Sequence, residues 1–163
     1  MLIAQPPGVR ATRDGGQWVF CRGGDTGTNH VLHDFEALAG RLGVHVREMV
    51  RQELYSKMQR AQRGELAYGS GREFDVEQMA CAQDVLELRL ADRPAPEETR
   101  EDEEDDDFLH IRFFFSEPLV RPGMLCGLML IWKRPGTIDL EHQTASAQRA
   151  SLRLNEFSRR DDF

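Results

Sequence analysis

Phe108-Leu109-His110-Ile111-Arg112-Phe113-Phe114-Phe115 has the two-residue period of a β-strand. Leu109, Ile111, Phe113 and Phe115 fall on one face, and His110 and Arg112 fall on the other. Upstream, Val85 to Leu90 repeats the pattern, with Leu86, Leu88 and Leu90 on one side and Glu87 and Arg89 opposite. Downstream, Met124 to Trp132 (MLCGLMLIW) is apolar on both faces, as expected of a central strand covered on both sides. Pro122-Gly123 marks the turn that leads into it.

The period changes towards the N-terminus. Gln17 to Arg22 (QWVFCR) reads as a short strand closed by Gly23-Gly24. Leu32, Phe35, Leu38 and Leu42 then recur at helical spacing, predicting a helix over 31–42 that Gly43 ends. Val46, Met49, Val50, Leu54 and Met58 predict a second helix that runs to about Arg63, before Gly64. Glycines and polar residues make 66–75 a loop, and 74–83 reads equally as a helical turn or an extended approach to the sheet. Thr137 or Asp139 is suited to cap a last helix reaching Phe157.

The resulting expectation is an α+β fold. A small antiparallel sheet with a mixed edge carries an N-terminal helical hairpin on one face, and a C-terminal helix follows. The short connections between the last strands favour a meander with the helices on a single face. At 163 residues one domain is expected, over 17–157. Residues 1–16, with Pro6 and Pro7, read as a loose lead-in, and 158–163 as a charged tail. Residues 93–107 read as an acidic loop inserted in a β-hairpin.

Charge is concentrated in that insertion. Glu97 to Asp107 holds nine carboxylates and one arginine, a local charge of −8 within a chain at −7, so the remainder stands at +1. The acidic balance therefore describes one segment and leaves a nucleic-acid partner open. No apolar run approaches the length of a membrane span, and the first residues lack the pattern of a secretory signal. Cys21, Cys81 and Cys126 have no metal-ligand spacing and read as reduced thiols of a cytoplasmic protein. Gly23-Gly24-Asp25-Thr26-Gly27 lacks the lysine of a phosphate-binding loop and reads as a turn. His30, His33 and His45 are scattered and read as structural or exposed.

Three words in order, Glu87-Leu88-Arg89, His110-Ile111-Arg112-Phe113-Phe114-Phe115 and Leu128-Met129-Leu130-Ile131-Trp132-Lys133-Arg134, resemble the RelE/ParE superfamily of type II toxins, in its phage-derived Gp49-like and HigB-like branches. The resemblance spans roughly Trp18 to Leu154, with its motifs confined to Val85–Arg134. It implies a toxin-like endoribonuclease that cuts messenger RNA, usually on the ribosome, needs no metal or other cofactor, and is controlled by a cognate antitoxin. It further implies that Arg112 contacts the scissile phosphate and that Arg134 or Lys133 supports its oxygens. His110, His142 or Glu87 is then the proton-transfer group, and Arg89 belongs to the substrate-binding surface. The chain departs from the family's basic character, and Glu87 stands where lysines are common.

The residues alone also allow a plainer reading: Glu87, Arg89, His110 and Arg112 as cross-strand ion pairs on a solvated face. Two other functions share the scaffold. One is a gyrase-inhibitor-like binder that cuts nothing. The other is a phage or mobile-element interaction protein whose acidic loop engages a basic partner. If instead 97–107 folds over the basic cleft as an RNA mimic, its removal should raise RNA binding.

Overall fold

A computed structural model describes residues 15–24, 27–94, 108–133 and 139–160. Its centre is the antiparallel pair β5 (Phe108–Ser116) and β6 (Met124–Lys133), joined by a turn in which Gly123 takes φ +82°. β3 (Leu86–Arg89) lies antiparallel on the free side of β5, and β2 (Val76–Gln78) lies beyond it. β1 (Gln17–Phe20) runs parallel to β6 on the other edge, along Met124–Gly127. The two-residue β4 (Arg93–Pro94) continues the pairing on β5, opposite Leu109 and Phe108. The sheet thus has six strands, is mixed, and has the order β1-β6-β5-β3-β2 with β4 to the side. Of the stretch left open over 74–83, Val76–Gln78 form strand β2, held to β3 by Val76–Leu88 and Gln78–Leu86 pairing, and a turn follows in which the Ala82 N–H donates to the Met79 carbonyl.

Helix α1 (His30–Ala39) begins with the Asn29 side chain accepting a hydrogen bond from the Leu32 N–H at 3.1 Å. It ends at Ala39, three residues short of the predicted Leu42. Tightened bonds from Arg41 N–H to the Leu38 carbonyl and from Leu42 N–H to the Ala39 carbonyl close it early. Gly43 instead precedes α2 (Val44–Gln62). At the far end, Gly64 N–H reaches the Ala61 carbonyl and Glu65 N–H reaches the Arg60 carbonyl, with Gly64 at φ +68°. That left-handed closure is why the helix stops before Gly64, as the sequence indicates.

The helices occupy both faces of the sheet. α1 and α2 cover Leu86, Leu88, Ile111, Phe113 and Phe115. Helix α3 (Asp139–Arg159) lies on the opposite face, where Ala147, Ala150, Leu154 and Phe157 pack on Phe114, Cys126, Leu128 and Met129. The expectation of helices on a single face is therefore corrected. β6 is apolar on both sides, and Phe114 and Val85 extend its second surface, so a second cover is required. Burying Leu154 and Phe157 contributes roughly 1.5–3 kcal/mol each, more than any exposed ion pair, so packing sets the position of α3.

A β-bulge between Phe114 and Phe115 sets Phe115 opposite Gly127 and Phe114 opposite Met129. Leu128 and Met129 consequently face the same side, towards α3, and every later residue of β6 is shifted by one. Beyond the bulge Leu130 and Trp132 turn to the hairpin side, while Ile131 and Lys133 turn to α3. Among the described residues no helix is long and apolar enough to cross a membrane. The acidic tract 97–107 lies outside the described residues; the strands on either side of it, β3 with β4 and β5, are antiparallel neighbours.

Candidate functional site

Strand register gathers the predicted polar residues on the α3 face. Arg89 stands opposite Arg112, Arg112 opposite Ile131, and His110 opposite Lys133. Glu87 stands between Glu77 of β2 and Phe114 of β5. Two carboxylates directly opposite each other repel. The Arg89 guanidinium relieves this by contacting both: Nη2 pairs with Glu77, and Nε lies 3.4 Å from Glu87 Oε1. Arg89 Nη1 also donates to the Gly71 carbonyl at 2.7 Å. Gly71 has φ +119°, a backbone shape that L residues rarely adopt, so a glycine presents that carbonyl.

Glu87 is the buried centre of the group, only 2% exposed. Arg112 Nε approaches its Oε1 at 3.3 Å, and Gln143 Nε2, from the first turns of α3, donates to its Oε2 at 2.7 Å. Arg112 Nη1 donates to the Ile111 carbonyl at 2.9 Å, and Nη2 has no partner among the described residues. A cavity of about 450 Å³ opens above this cluster, lined by Arg72, Arg89, Arg112, Lys133, Glu77 and Glu87, together with Gly71 and Gln143. Four cations against two carboxylates leave its lining with a charge of +2, which suits an anion.

His110 sits at the end of this surface. Its Nδ1 lies 2.6 Å from Asp92 Oδ1, and the ring is about three-quarters covered. With the proton on Nδ1 donated to Asp92, Nε2 is left as an acceptor. His142 is elsewhere: it is exposed on α3 and lines a neighbouring cavity that shares Lys133 and Gln143 with the first. Arg134 lies outside the described residues. The structure therefore brings Glu87, Arg89, Arg112 and Lys133 into one cavity, with His110 at its margin, and does not bring His142 into that cavity. Among the described residues no three of His, Cys, Asp and Glu converge as a metal site.

Sequence reading missed Gln143, Arg72, Glu77, Asp92 and Gly71. Gln143 and Arg72 carry no local signal, because each enters through a tertiary approach of helix or loop to the sheet. Gly71 was readable only as part of a loop. Comparison with protein-family models, characterised proteins and solved structures found nothing that matches this chain.

Proposed function

We propose that the chain is a metal-independent endoribonuclease of toxin type, acting on messenger RNA and restrained by a partner antitoxin. The observation that carries the reading is the meeting of Arg112 and Lys133 beside the His110–Asp92 pair, on one rigid sheet face. An RNA phosphate between Arg112 Nη2 and Lys133 Nζ would have its growing charge offset by two cations. His110 Nε2 takes the proton of the adjacent 2′-OH as that oxygen attacks phosphorus. The bond to the 5′-oxygen breaks, the 5′-oxygen takes a proton from water, and a 2′,3′-cyclic phosphate remains. Glu87, buried between guanidinium groups, holds Arg112 in place and is not the proton carrier.

The test is cleavage of single-stranded and ribosome-bound RNA in the presence of a chelator. Arg112→Ala and His110→Ala are expected to lower cleavage by about 100-fold or more while keeping the fold. New RNA ends from the wild type that persist unchanged in Arg112→Ala would overturn the assignment.

A second reading rests on the internal pairing of Arg89 and Arg112 with Glu77 and Glu87. An internally neutralised face suits a binding module that cuts nothing, such as a gyrase-inhibitor-like or phage-type interaction protein. Growth arrest with intact RNA and altered DNA supercoiling would favour the first of these, and harmless expression the second.

A further inference from the structure

Between the first turns of α3 and the outer edge of β6 lies the second cavity, of about 440 Å³. Its floor is Met129 and Ile131, apolar side chains that face α3 because the bulge shifted the alternation of β6. Its wall is His142, Ser146 and Arg149, spaced four and three apart along one side of the helix. Lys133 and Gln143 line both this cavity and the one holding Arg112, so the two spaces meet there. Asp34 also borders the groove, but its carboxylate is paired with Arg153 at 2.8 Å. Among the described lining residues, Lys133 and Arg149 stand against Asp34, a formal charge of +1.

An apolar floor beside a cationic junction suits a ligand that is flat and apolar at one end and anionic at the other. We propose that this groove is a nucleobase subsite: one RNA base lies on Met129 and Ile131 under α3, and its phosphate reaches Lys133 and Arg112. The inference rests on the ribonuclease reading above and extends it from a phosphate to a whole nucleotide. Ser146 and His142 are placed at the edge of such a base, where hydrogen bonds distinguish one base from another. The observations favour a nucleotide over a peptide because the groove is short, positively charged and continuous with the arginine cavity.

Isothermal titration of the four nucleoside 3′-monophosphates and of inorganic phosphate tests this, using wild type, Ser146→Trp, Ser146→Ala and Arg112→Ala. Ser146 is half-buried on a helix surface, so the tryptophan fills the groove, and circular dichroism checks that the helix remains. Wild type is expected to bind at least one nucleotide about tenfold tighter than inorganic phosphate, and Ser146→Ala should narrow the differences among the four nucleotides. Ser146→Trp should bind that nucleotide no better than phosphate, and Arg112→Ala should weaken both ligands. Equal affinities in wild type, or a nucleotide preference that survives Ser146→Trp, would overturn the subsite while Arg112-dependent phosphate binding keeps the wider reading. A short oligoglutamate that displaces the nucleotide completely, and loses this ability in Ser146→Trp, would reassign the groove to an acidic protein segment. Absence of any Arg112-dependent phosphate binding would remove both the subsite and the ribonuclease reading.

Discussion

Glu87 and His110 lie on the same sheet face and differ in what surrounds them. Glu87 is enclosed by Arg89, Arg112 and Gln143, whereas His110 pairs with a half-exposed Asp92. Glu87→Gln keeps the size but removes the charge that faces two guanidiniums, so it is expected to destabilise the fold by about 1–3 kcal/mol in urea unfolding. His110→Ala breaks a pair with an exposed partner and should cost less than about 1 kcal/mol. A large loss of RNA cleavage in that second variant would thus be chemical and not structural. The thiols separate in the same manner. Burial pushes Cys21 up to about 11, against the opposing pull of Arg153, and burial pushes Cys126 higher still. Cys81 is exposed. At about pH 8 the Cys21 thiolate is roughly a thousandth of the population. A disulfide reagent should therefore titrate one fast thiol in the native protein and all three after denaturation. Three fast thiols in the native state would contradict the burial.

Strand β6 is under tighter steric constraint than its composition suggests. A Cβ added at Gly127 would lie 2.6 Å from Phe20 Cδ1 and 3.2 Å from Phe113 Cζ. Those rings belong to an aromatic cluster in which Trp18 sits 5.5 Å from Phe113 and 5.4 Å from Phe115, centroid to centroid. Gly127→Ala is expected to cost about 1–3 kcal/mol by overpacking, read from the thermal or urea midpoint. Past Gly127, β1 has ended and the edge of β6 is closed by side chains. Asp34 Oδ2 accepts from the Leu130 N–H at 3.1 Å, and Arg153 Nη1 donates to the Leu128 carbonyl at 3.0 Å. The Asp34–Arg153 pair thus ties α1 and α3 to one strand and blunts an edge that could otherwise pair with another chain. Asp34→Ala leaves a buried N–H and a partly buried guanidinium without it, for about 2–4 kcal/mol of lost stability. A stability change under about 0.5 kcal/mol would mean that water replaces the carboxylate fully.

Over the whole molecule, pH acts through carboxylates that bridge elements. Asp75 joins the loop before β2 to α2: it accepts from Ala67 N–H at 3.1 Å and Arg60 Nη2 at 3.0 Å, with Lys57 Nζ at 3.6 Å. Burial opposes its ionisation, but the Ala67 N–H and the two cations outweigh it, so its pKa falls below the ordinary value of 3.8. A lowered folded pKa stabilises the protein above the unfolded value and loses that contribution as pH falls through the folded value. The stability difference between wild type and Asp75→Asn should therefore be constant from about pH 7 to about pH 5 and shrink below 3.8. A difference independent of pH down to unfolding would show that the carboxylate's charge is not what holds the loop. Net charge is a poor guide to partners here, because 97–107 alone carries −8 of a chain at −7, while the lining of the described cavity carries a formal +2.

The sequence by itself determined strands β1, β3, β5 and β6, the end of α2 at Gly64 and the start of α3 near Asp139, and the shared face of Glu87, Arg89, His110 and Arg112; β2 was left open, and β4 lies within the stretch read as the acidic loop. These depend on local periodicity and turn chemistry, which the chain carries residue by residue. Helix α1 was mistaken by three residues because Leu42 remains buried after the helix has closed, so burial and helicity part there. Tertiary structure alone decided that α3 covers the second face, that Gln143 reaches Glu87, and that the bulge turns Lys133 towards Arg112. Each of these depends on register and on how separate elements approach. A one-residue shift in a strand reverses which side every later residue faces, and no local pattern in an all-apolar strand such as β6 reveals it.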